Sequence, residues 1–337
     1  MKLLFLGGTQ FVGRHMVAAA LSAGHEVTLF NRGTTNSDLF PEVEKLRGDR
    51  DTDLSALAGR TWDAVIDVNA YIPRWVTETA TLLRDAVKTY VFVSTVSVYQ
   101  YDQLGPGADE SAPVQRLADP TVEQVTGQTY GGLKVLCEEA AESIMPGRVL
   151  TLRLGIVAGP YDPTDRVTYY VQRLAHGGNV LVPALPEMPV QFIDARDLAA
   201  FLLTALDRGL TGIYNTTGHS VSWKQFLDAC AAAAGTKATY TYVDSLTFFQ
   251  EYVDRETMRP YGAVPMSVPP AVADVYRVSS ARALGAGLVI RPLVDTARDV
   301  LAWERSRDPA EPRQAGMSRE QEADLLARWS DWLDESS

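Results

Sequence analysis

The sequence predicts an α/β fold: a doubly wound parallel sheet in a first domain and a smaller, discontinuous second lobe. Three observations predict it. Apolar strands alternate with amphipathic helices in the first half, a glycine-rich turn follows the first strand, and the second half loses this alternation. Strands that are apolar throughout are typical of a parallel sheet covered by helices on both faces. A chain of 337 residues is also long for a single compact core.

The elements of the first half follow one another in a regular order. The apolar run KLLFL ends in Gly-Gly and is followed by FVGRHMVAAALSAG, which has helical periodicity and ends at Gly24. HEVTLF, VEKLRGD and WDAVIDV are the next three strands. A helix near residues 74–86 then leads to the strand TYVFVS, and a helix that carries Tyr130 leads to the strand RVLTLRL. This order predicts strand–helix–strand units that build a parallel sheet covered on both faces.

The second half predicts the second lobe. Residues 156–190 and 240–275 are rich in Pro, Tyr and Phe, whereas QFIDARDLAAFLLTAL predicts a strand that enters a helix of the first domain. Trp329 and Trp332 are expected to dock the final helix. We therefore assign residues 1–155, about 191–217 and 292–304 to the first domain. The second lobe and tail comprise about 156–190, 218–291 and 305–337.

Composition excludes several classes of function. The net charge of −11 and the pI near 4.9 oppose binding to nucleic acids or anionic membranes, which requires clustered Lys and Arg. The N-terminal apolar run is too short for a signal peptide, and no stretch approaches membrane-spanning length. Cys137 and Cys230 lack C-x-x-C spacing and are expected to be buried thiols of a cytoplasmic protein. The four scattered histidines predict no metal site.

The glycine-rich turn GGTQFVG lies between the first strand and the first helix. A pyrophosphate binds at such a place because the backbone can approach it closely and the helix N-terminus favours negative charge. Gln10 stands where the middle glycine of the usual pattern would be. The turn predicts a dinucleotide-binding (Rossmann) domain. Its candidate cofactor-binding residues are Gly7, Thr9, Gln10, Phe11, Val12 and Gly13.

The end of the second strand predicts the cofactor. An NAD site normally has Asp or Glu there to bind the ribose hydroxyls, but this chain has Asn31 followed by Arg32. A neutral side chain beside a guanidinium favours NADP(H) over NAD(H), unless Arg32 is only a solvated loop charge. Asp49, followed by Arg50, closes the third strand and is a candidate acceptor for the adenine amino group. Alternatively, Asp49 caps a helix that begins near Asp53.

Tyr130 and Lys134 lie one helical turn apart in YGGLK, so both side chains leave the same face of the helix. The spacing alone is a weak signal. The order of GGTQFVG, GDRD, DAVIDVNA, STVSVY, YGGLK, RLGIVAGP and QFIDARDLA, however, resembles that of the extended short-chain dehydrogenase/reductases, in an atypical branch. This family contains NAD(P)-dependent epimerases, dehydratases and reductases.

The resemblance implies roles for particular residues. Tyr130 takes the place of the catalytic acid/base, Lys134 that of its partner lysine and Thr95 that of the Ser/Thr that binds the substrate oxygen. A phenol with a pKa near ~10 is a poor base at neutral pH, but a neighbouring ammonium favours phenolate. Further cofactor contacts are expected from Val68, Asn69, Ala70, Leu154 and Ile156. Substrate contacts are expected from Val96, Ser97, Tyr161, Tyr169 and Gln191.

Departures from the family pattern narrow the chemistry. Val96 and Ser97 replace the Asp-Glu pair that follows the catalytic Thr in the sugar dehydratases, so elimination of water is not expected. Val190 occupies the position of an Arg that binds phosphate in sugar-nucleotide enzymes, which places a nucleotide-sugar substrate in doubt. The aromatic segments 161–170 and 248–261 either shape the substrate pocket or form the core of the small lobe.

The sequence thus predicts an NADP(H)-preferring oxidoreductase that acts on a carbonyl or secondary alcohol of a small molecule. The alternatives are an epimerase that retains its cofactor and a nucleotide-sensing or RNA-binding protein without enzymatic activity. The resemblance also implies a homodimer built from the helices near residues 74–86 and 129–144. The apolar surface for that interface is expected from Val76, Leu83, Val87, Val135 and Leu136, although some of them must face the sheet.

Overall fold

The computed structural model describes residues 1–253 and 259–335. They form two compact units. The first unit comprises Met1–Val157, Phe192–His219 and Arg277–Ile290. The second unit comprises Ala158–Gln191, Ser220–Tyr276 and Arg291–Ser337. Part of the aromatic segment 248–261 therefore lies outside the described residues.

The strands are β1 (Lys2–Leu6), β2 (Glu26–Asn31), β3 (Glu44–Arg47), β4 (Ala64–Asp67), β5 (Thr89–Thr95), β6 (Val149–Leu154), β7 (Ile156–Ala158), β8 (Gly178–Val182), β9 (Pro189–Val190), β10 (Phe192–Asp194), β11 (Gly212–Thr216), β12 (Val221–Ser222) and β13 (Ala238–Tyr242). The α-helices are α1 (Phe11–Ser22), α2 (Pro73–Leu83), α3 (Tyr130–Ile144), α4 (Arg166–Ala175), α5 (Ala195–Asp207), α6 (Trp223–Ala234), α7 (Leu246–Tyr252), α8 (Ala281–Gly285), α9 (Leu293–Ser306) and α10 (Arg319–Glu335).

The first unit is built on a seven-stranded sheet in the order β11-β6-β5-β4-β1-β2-β3. Every neighbouring pair is parallel, as the apolar strands predicted. The chain runs outward from β1 in one direction through β2 and β3 and in the other through β4, β5 and β6. Ligands of such sheets bind beyond the carboxyl ends of the strands at this switch point. The fold is therefore the doubly wound α/β fold that the sequence predicted.

The core of the first unit has two layers, one on each face of the sheet. On β1, Leu3 and Phe5 pack in the layer that contains α1 and α5, whereas Leu4 and Leu6 pack in the layer that contains α2 and α3. All four are buried, because side chains alternate between the faces of a strand. Each such side chain stabilises the fold by about 1.5–3 kcal/mol. The two layers fix where the strands end and thus where the site lies.

The division of the chain differs from the predicted one in two places. Helix α9 falls in the region assigned to the first domain, yet it packs on α4 and α6 of the second unit. Conversely, residues 277–290 were assigned to the second lobe, but Ala283 and Leu288 are buried in the core of the first unit. In both segments the position in the sequence did not indicate the unit to which the segment belongs. The apolar residues of each segment pack against parts of the chain that are distant in the sequence.

Aromatic rings and several buried ion pairs hold the second unit together. Trp329 packs on Phe248 at 5.1 Å between ring centroids, and Trp332 stacks on Trp329 at 5.0 Å, so both indoles dock α10 as predicted. Glu322 of α10 pairs with Arg173 of α4. Within the described residues, no helix is long and apolar enough to cross a membrane. Cys137 and Cys230 are buried free thiols, which confirms that prediction.

Candidate active site

The glycine turn has the backbone that close approach of a ligand requires. Gly7 and Gly8 have φ values of +104° and +95°, a region that favours glycine, and Gly8 was not singled out from the sequence. A Cβ at Gly13 would lie 2.9 Å from the Cα of Gly8, so only glycine allows the first helix to pack this closely on the turn. Both observations agree with the roles predicted for Gly7 and Gly13.

Gln10 occupies its position without strain. Its φ and ψ of −128° and 139° are open to any residue, and its side chain is exposed, so the missing glycine does not distort the turn. Phe11 begins α1 with φ +33° and packs its ring edge against His15. The backbone oxygen of the buried Thr9 accepts from Asn36 Nδ2 at 2.8 Å, which ties the loop after β2 to the turn. Val12 packs beneath, against the core.

The carboxyl end of β2 carries the residues that predicted the cofactor. Asn31 Nδ2 donates to the oxygen of Gly7 at 3.3 Å, and Asn31 Oδ1 accepts from the nitrogen of Gly33 at 3.0 Å. The Arg47 guanidinium, at the end of β3, also donates to Asn31 Oδ1. Arg32 is exposed. Arg47 was missed because nothing in the sequence indicated that the ends of β2 and β3 share a hydrogen bond.

The loop after β3 folds around Asp49. The backbone nitrogen of Asp49 donates to the oxygen of Asp53 at 3.1 Å, and its Oδ1 accepts from the nitrogen of Asp51 at 3.1 Å. Asp53 Oδ1 accepts from the nitrogen of Ser55, where a short 3₁₀ helix begins. The N-cap residue of that helix, Leu54, has no side-chain cap hydrogen bond, and the Asp49 carboxylate accepts from Asp51 rather than from the helix.

Asp67 is a fully buried carboxylate at the carboxyl end of β4. Arg50 donates to both of its oxygens at 2.7 and 2.8 Å, and the Tyr90 hydroxyl donates to Oδ2 at 2.7 Å. Burial alone would raise the pKa of Asp67, but the Arg50 charge and the hydrogen bonds hold it below its usual value. Arg50, predicted to bind the cofactor, thus also fastens its loop to β4.

A cavity of about 220 Å³ opens beyond the ends of β1 to β4. Trp75, at the start of α2, lines it together with Asp51 and donates from Nε1 to that carboxylate at 2.6 Å; neither residue was singled out from the sequence. The predicted residues on its lining are Gly7, Asn31, Arg32, Asp49, Arg50 and Asn69.

These features fit a dinucleotide. The cavity suits the adenosine end, and the first turn of α1 carries no acidic residue that would repel a pyrophosphate.

Val68 lies beside the turn, where its Cγ2 would be 3.1 Å from a Cβ at Gly7. Leu154 is buried in the core and pairs in register with Thr95, so only its backbone is placed to face a ligand. Ile156 is half-buried.

Thr95 is the last residue of β5, and its side chain caps the following 3₁₀ turn. Its Oγ1 accepts from the nitrogen of Ser97 at 3.1 Å, so the hydroxyl can still donate to another acceptor. Ser97 is half-buried. Val96 packs in a buried cluster with Val98 and Tyr99. The contact of Val96 with substrate stays a prediction.

Tyr130 and Lys134 lie on the first two turns of α3. The half-buried Tyr130 ring lies 6.1 Å from that of Tyr71. Lys134 is buried, and its Nζ donates at 2.7 Å to the backbone oxygens of Ala70 and Val93, near the ends of β4 and β5. An ammonium has three N–H donors, so a third remains beyond these two bonds. The sheet therefore holds the lysine that the sequence paired with Tyr130.

The environment of Lys134 leads to a prediction about pH. Burial lowers the pKa of Lys134 from 10.5 to about 8. Between these values the unfolded chain keeps a proton that the folded protein has released, so this group makes the fold more stable as pH rises. From pH 7 to pH 10, the free energy of unfolding of the cofactor-free protein should rise by about 2–3 kcal/mol relative to Lys134→Met. Denaturant titrations of both proteins test this, and parallel pH profiles would contradict it.

A buried polar network behind these residues was not predicted. Glu138, one turn after Lys134, accepts from Arg153 Nε and Nη2 at 3.0 and 2.7 Å and from the Ser94 hydroxyl at 2.5 Å. Arg153 Nη1 donates to the Tyr99 hydroxyl at 3.0 Å. The network links α3 to β5 and β6. A charged residue inside the apolar strand LTLRL was the signal that could have indicated a buried partner.

The substrate candidates of the second unit fall into two groups. Tyr161 is 40% exposed, has φ +70° and lies 5.7 Å from the Trp303 ring. Tyr169 is buried against Tyr170, and a Cβ at Gly316 would lie 1.9 Å from its ring. The contact of Tyr169 with substrate stays a prediction. Gln191 is buried, as is Val190, its neighbour in β9.

The helices expected to form a dimer interface bury most of their apolar residues within the first unit. Val76, Leu83, Val87 and Val135 are each at most 5% exposed, so these four do not offer the expected apolar surface and are among the residues that face the core. They pack in the cores of the first unit instead. Leu136 is half-buried.

No three His, Cys, Asp or Glu side chains in residues 1–253 and 259–335 are grouped to hold a metal ion.

Comparison with known proteins identifies the family. A profile described as the NAD dependent epimerase/dehydratase family matches residues 3–216. The 41 kDa chloroplast stem-loop binding protein b of Arabidopsis thaliana is 27% identical over 260 residues, which cover 69% of this chain and 63% of that protein. A probable UDP-arabinose 4-epimerase 3 of Oryza sativa subsp. japonica is 26% identical over 301 residues, or 71% of each chain. The chain thus spans less than two thirds of the chloroplast protein.

Solved structures share the fold. The UDP-glucose 4-epimerase of Thermotoga maritima with UDP-glucose has a TM-score of 0.66 at 17% identity and covers 91% of this chain and 99% of its own. A human epimerase family protein with NADPH has a TM-score of 0.61 at 21% identity and covers 90% of this chain and 99% of its own. Both resemble this chain across its length in fold.

Proposed function

Because this chain belongs to the NAD-dependent epimerase/dehydratase family, we propose that it is an oxidoreductase that interconverts a carbonyl and a secondary alcohol of a small molecule. The observation that carries the proposal is that Tyr130 lies one turn before the buried Lys134 on α3, and that Lys134 Nζ is anchored on Ala70 and on Val93, two residues before Thr95 on β5. These are the residue types that proton transfer to an oxygen needs.

The bound nicotinamide would supply or accept the hydride. Residues of the glycine turn would hold the pyrophosphate, and those of the 220 Å³ cavity would hold the adenosine. In reduction, Tyr130 gives its hydroxyl proton to the substrate oxygen while Thr95 donates a hydrogen bond to the same oxygen. The positive charge of Lys134 favours the phenolate left on Tyr130. In oxidation, the phenolate takes the proton back.

The second candidate is an epimerase that oxidises and re-reduces one carbon. It is favoured by the relatives named as 4-epimerases. A nucleotide-sugar substrate remains a weaker proposal, because the buried Val190 offers no charge for a phosphate. Elimination of water is also disfavoured, because Val96 and Ser97 provide no carboxylate after Thr95.

Cofactor exchange separates the two candidates. A reductase must release its nicotinamide in every cycle, whereas an epimerase can keep it. We expect protein purified without added cofactor to contain well below one nicotinamide per chain and to need added cofactor for turnover. Absorbance and mass spectrometry of the denatured protein measure the content. If the purified protein instead contains close to one nicotinamide per chain and turns over without added cofactor, it is the epimerase.

We also propose that the cofactor is NADP(H). At position 31 a carboxylate would repel a 2′-phosphate, and Asn31 removes this repulsion. Arg32 adds a guanidinium at the same strand end. A charge-assisted contact of this kind corresponds to roughly 10- to 150-fold in affinity, the lower end applying to exposed groups. Wild-type protein should therefore bind NADP(H) more tightly than NAD(H) by at least roughly 10-fold.

Binding of RNA without catalysis is the third candidate, because one relative is named as a stem-loop binding protein. The net charge of −11 opposes it, since phosphate contacts require clustered cations. We therefore propose that the partner is a small molecule rather than nucleic acid. We propose a cytoplasmic location because both cysteines are free thiols, as expected in a reducing compartment.

A homodimer stays a proposal on symmetry grounds, since two-fold closure is the commonest assembly of like chains. The exposed Leu82 of α2 and the half-buried Leu136 of α3 are among the apolar residues that stay accessible for such a contact. We expect sedimentation at micromolar concentration to give twice the chain mass of 36.9 kDa. A mass of one chain would refute the dimer, and Leu82→Glu should dissociate it if α2 forms the contact.

A further inference from the structure

Arg47 is held in place at the end of β3 by groups from the end of β2. Its guanidinium donates to Asn31 Oδ1, and it lies against Gly33, where a Cβ would be 2.8 Å from Cζ and Nη1. The nitrogen of Gly33 donates to the same Asn31 oxygen at 3.0 Å. A guanidinium has five N–H donors, so most remain for another acceptor. Arg47 itself is exposed and accessible to a ligand.

The charge of the residue at position 31 determines whether the positive charge of Arg47 is neutralised. An Asp there would form an ion pair with Arg47 and cancel its charge. The neutral Asn31 accepts the same hydrogen bond but leaves the charge uncompensated. No carboxylate pairs with Arg47 among the residues that the structure describes. The nearest acid along β3, Glu44, is instead bonded to Arg60 at 2.9 Å. The strand ends thus carry two cations, Arg32 and Arg47, in a protein of net charge −11.

We propose that Arg47 is the second residue that determines cofactor preference, and that its guanidinium binds the 2′-phosphate of NADP(H). This inference rests on the NADP(H) preference proposed above. Arg47 is already ordered by Asn31 and Gly33, so less conformational freedom is lost when it binds an anion than for the exposed Arg32. Planar guanidinium groups also bind phosphate oxygens in a bidentate manner.

The test uses two fragments of the cofactor, 2′,5′-ADP and 5′-AMP, which differ only by the 2′-phosphate and require no catalysis. Their affinities are measured by calorimetry for wild type, Arg32→Ala, Arg47→Ala and Asn31→Asp. Arg60→Ala is the matched control, because it removes one positive charge beside Glu44, at the opposite end of β3. Thermal unfolding of each variant verifies folding.

Arg47→Ala is expected to weaken 2′,5′-ADP by roughly 10-fold or more while 5′-AMP changes less than about twofold. Asn31→Asp should weaken 2′,5′-ADP further, because it neutralises Arg47 and repels the phosphate, whereas Arg60→Ala should change neither fragment. An equal loss of both fragments in Arg47→Ala would mean that Arg47 only supports Asn31, and would overturn the inference. So would an unchanged 2′,5′-ADP affinity in Arg47→Ala when Arg32→Ala lowers it. Wild type that binds both fragments equally would refute the NADP(H) preference itself.

Discussion

Tyr130→Phe is expected to lower turnover by roughly 10²- to 10⁴-fold and to change cofactor affinity by no more than a few-fold. The substitution removes one hydroxyl and keeps the ring, so the packing at 6.1 Å from Tyr71 is preserved. If the phenol carries the proton, turnover falls because phenylalanine has no proton to transfer. Steady-state kinetics with the best carbonyl substrate from a compound panel gives turnover, and fluorescence titration gives cofactor affinity.

The matched control for this variant is Tyr214→Phe. Tyr214 is a buried tyrosine of the same unit whose ring packs on Phe201 and under Arg282. Its substitution removes an equivalent hydroxyl away from the strand ends, and turnover should stay within about threefold of wild type. Tyr130→Phe activity within tenfold of wild type would show that another group moves the proton and would remove Tyr130 from the catalytic role.

The second large effect is expected on stability. Arg153→Met leaves Glu138 as a buried carboxylate that keeps only the Ser94 hydroxyl, and should lower the free energy of unfolding by about 3–5 kcal/mol. The double variant Glu138→Leu with Arg153→Met should recover much of this loss, because a buried ion pair replaced by apolar groups of similar volume is often neutral. Urea titrations of the cofactor-free protein measure both values.

Glu139, the residue after Glu138, provides the control for this prediction. Glu139 pairs with Arg116 on the surface, where the two side chains are 49% and 63% exposed. Glu139→Gln should change the free energy of unfolding by less than about 1 kcal/mol, since exposed ion pairs are screened by water. If Arg153→Met costs no more than this control, the network does not support the junction of α3 with β5 and β6.

The candidate site could be predicted from sequence where its residues lie close together in the chain. The spacing of Tyr130 and Lys134 and the position of Gly7 and Gly13 between a strand and a helix are local patterns, and local backbone geometry follows from them. The roles of these residues in binding and catalysis stay predictions. The side-chain partners of Lys134 were not predictable, because Ala70 and Val93 are brought to it by two different strands.

The alternation of elements, the apolar strands of a parallel sheet, the tight glycine turn and the burial of both cysteines could be predicted from the amino-acid sequence. Each of these depends on the composition or period of a short segment of the chain. The folded structure was needed to show that Arg47 bonds Asn31, that Glu138 is buried with Arg153, and that Val76 and Val135 face the core. These outcomes depend on which distant segments become neighbours. The sequence of a helix does not indicate whether its own sheet or a second chain covers its apolar residues.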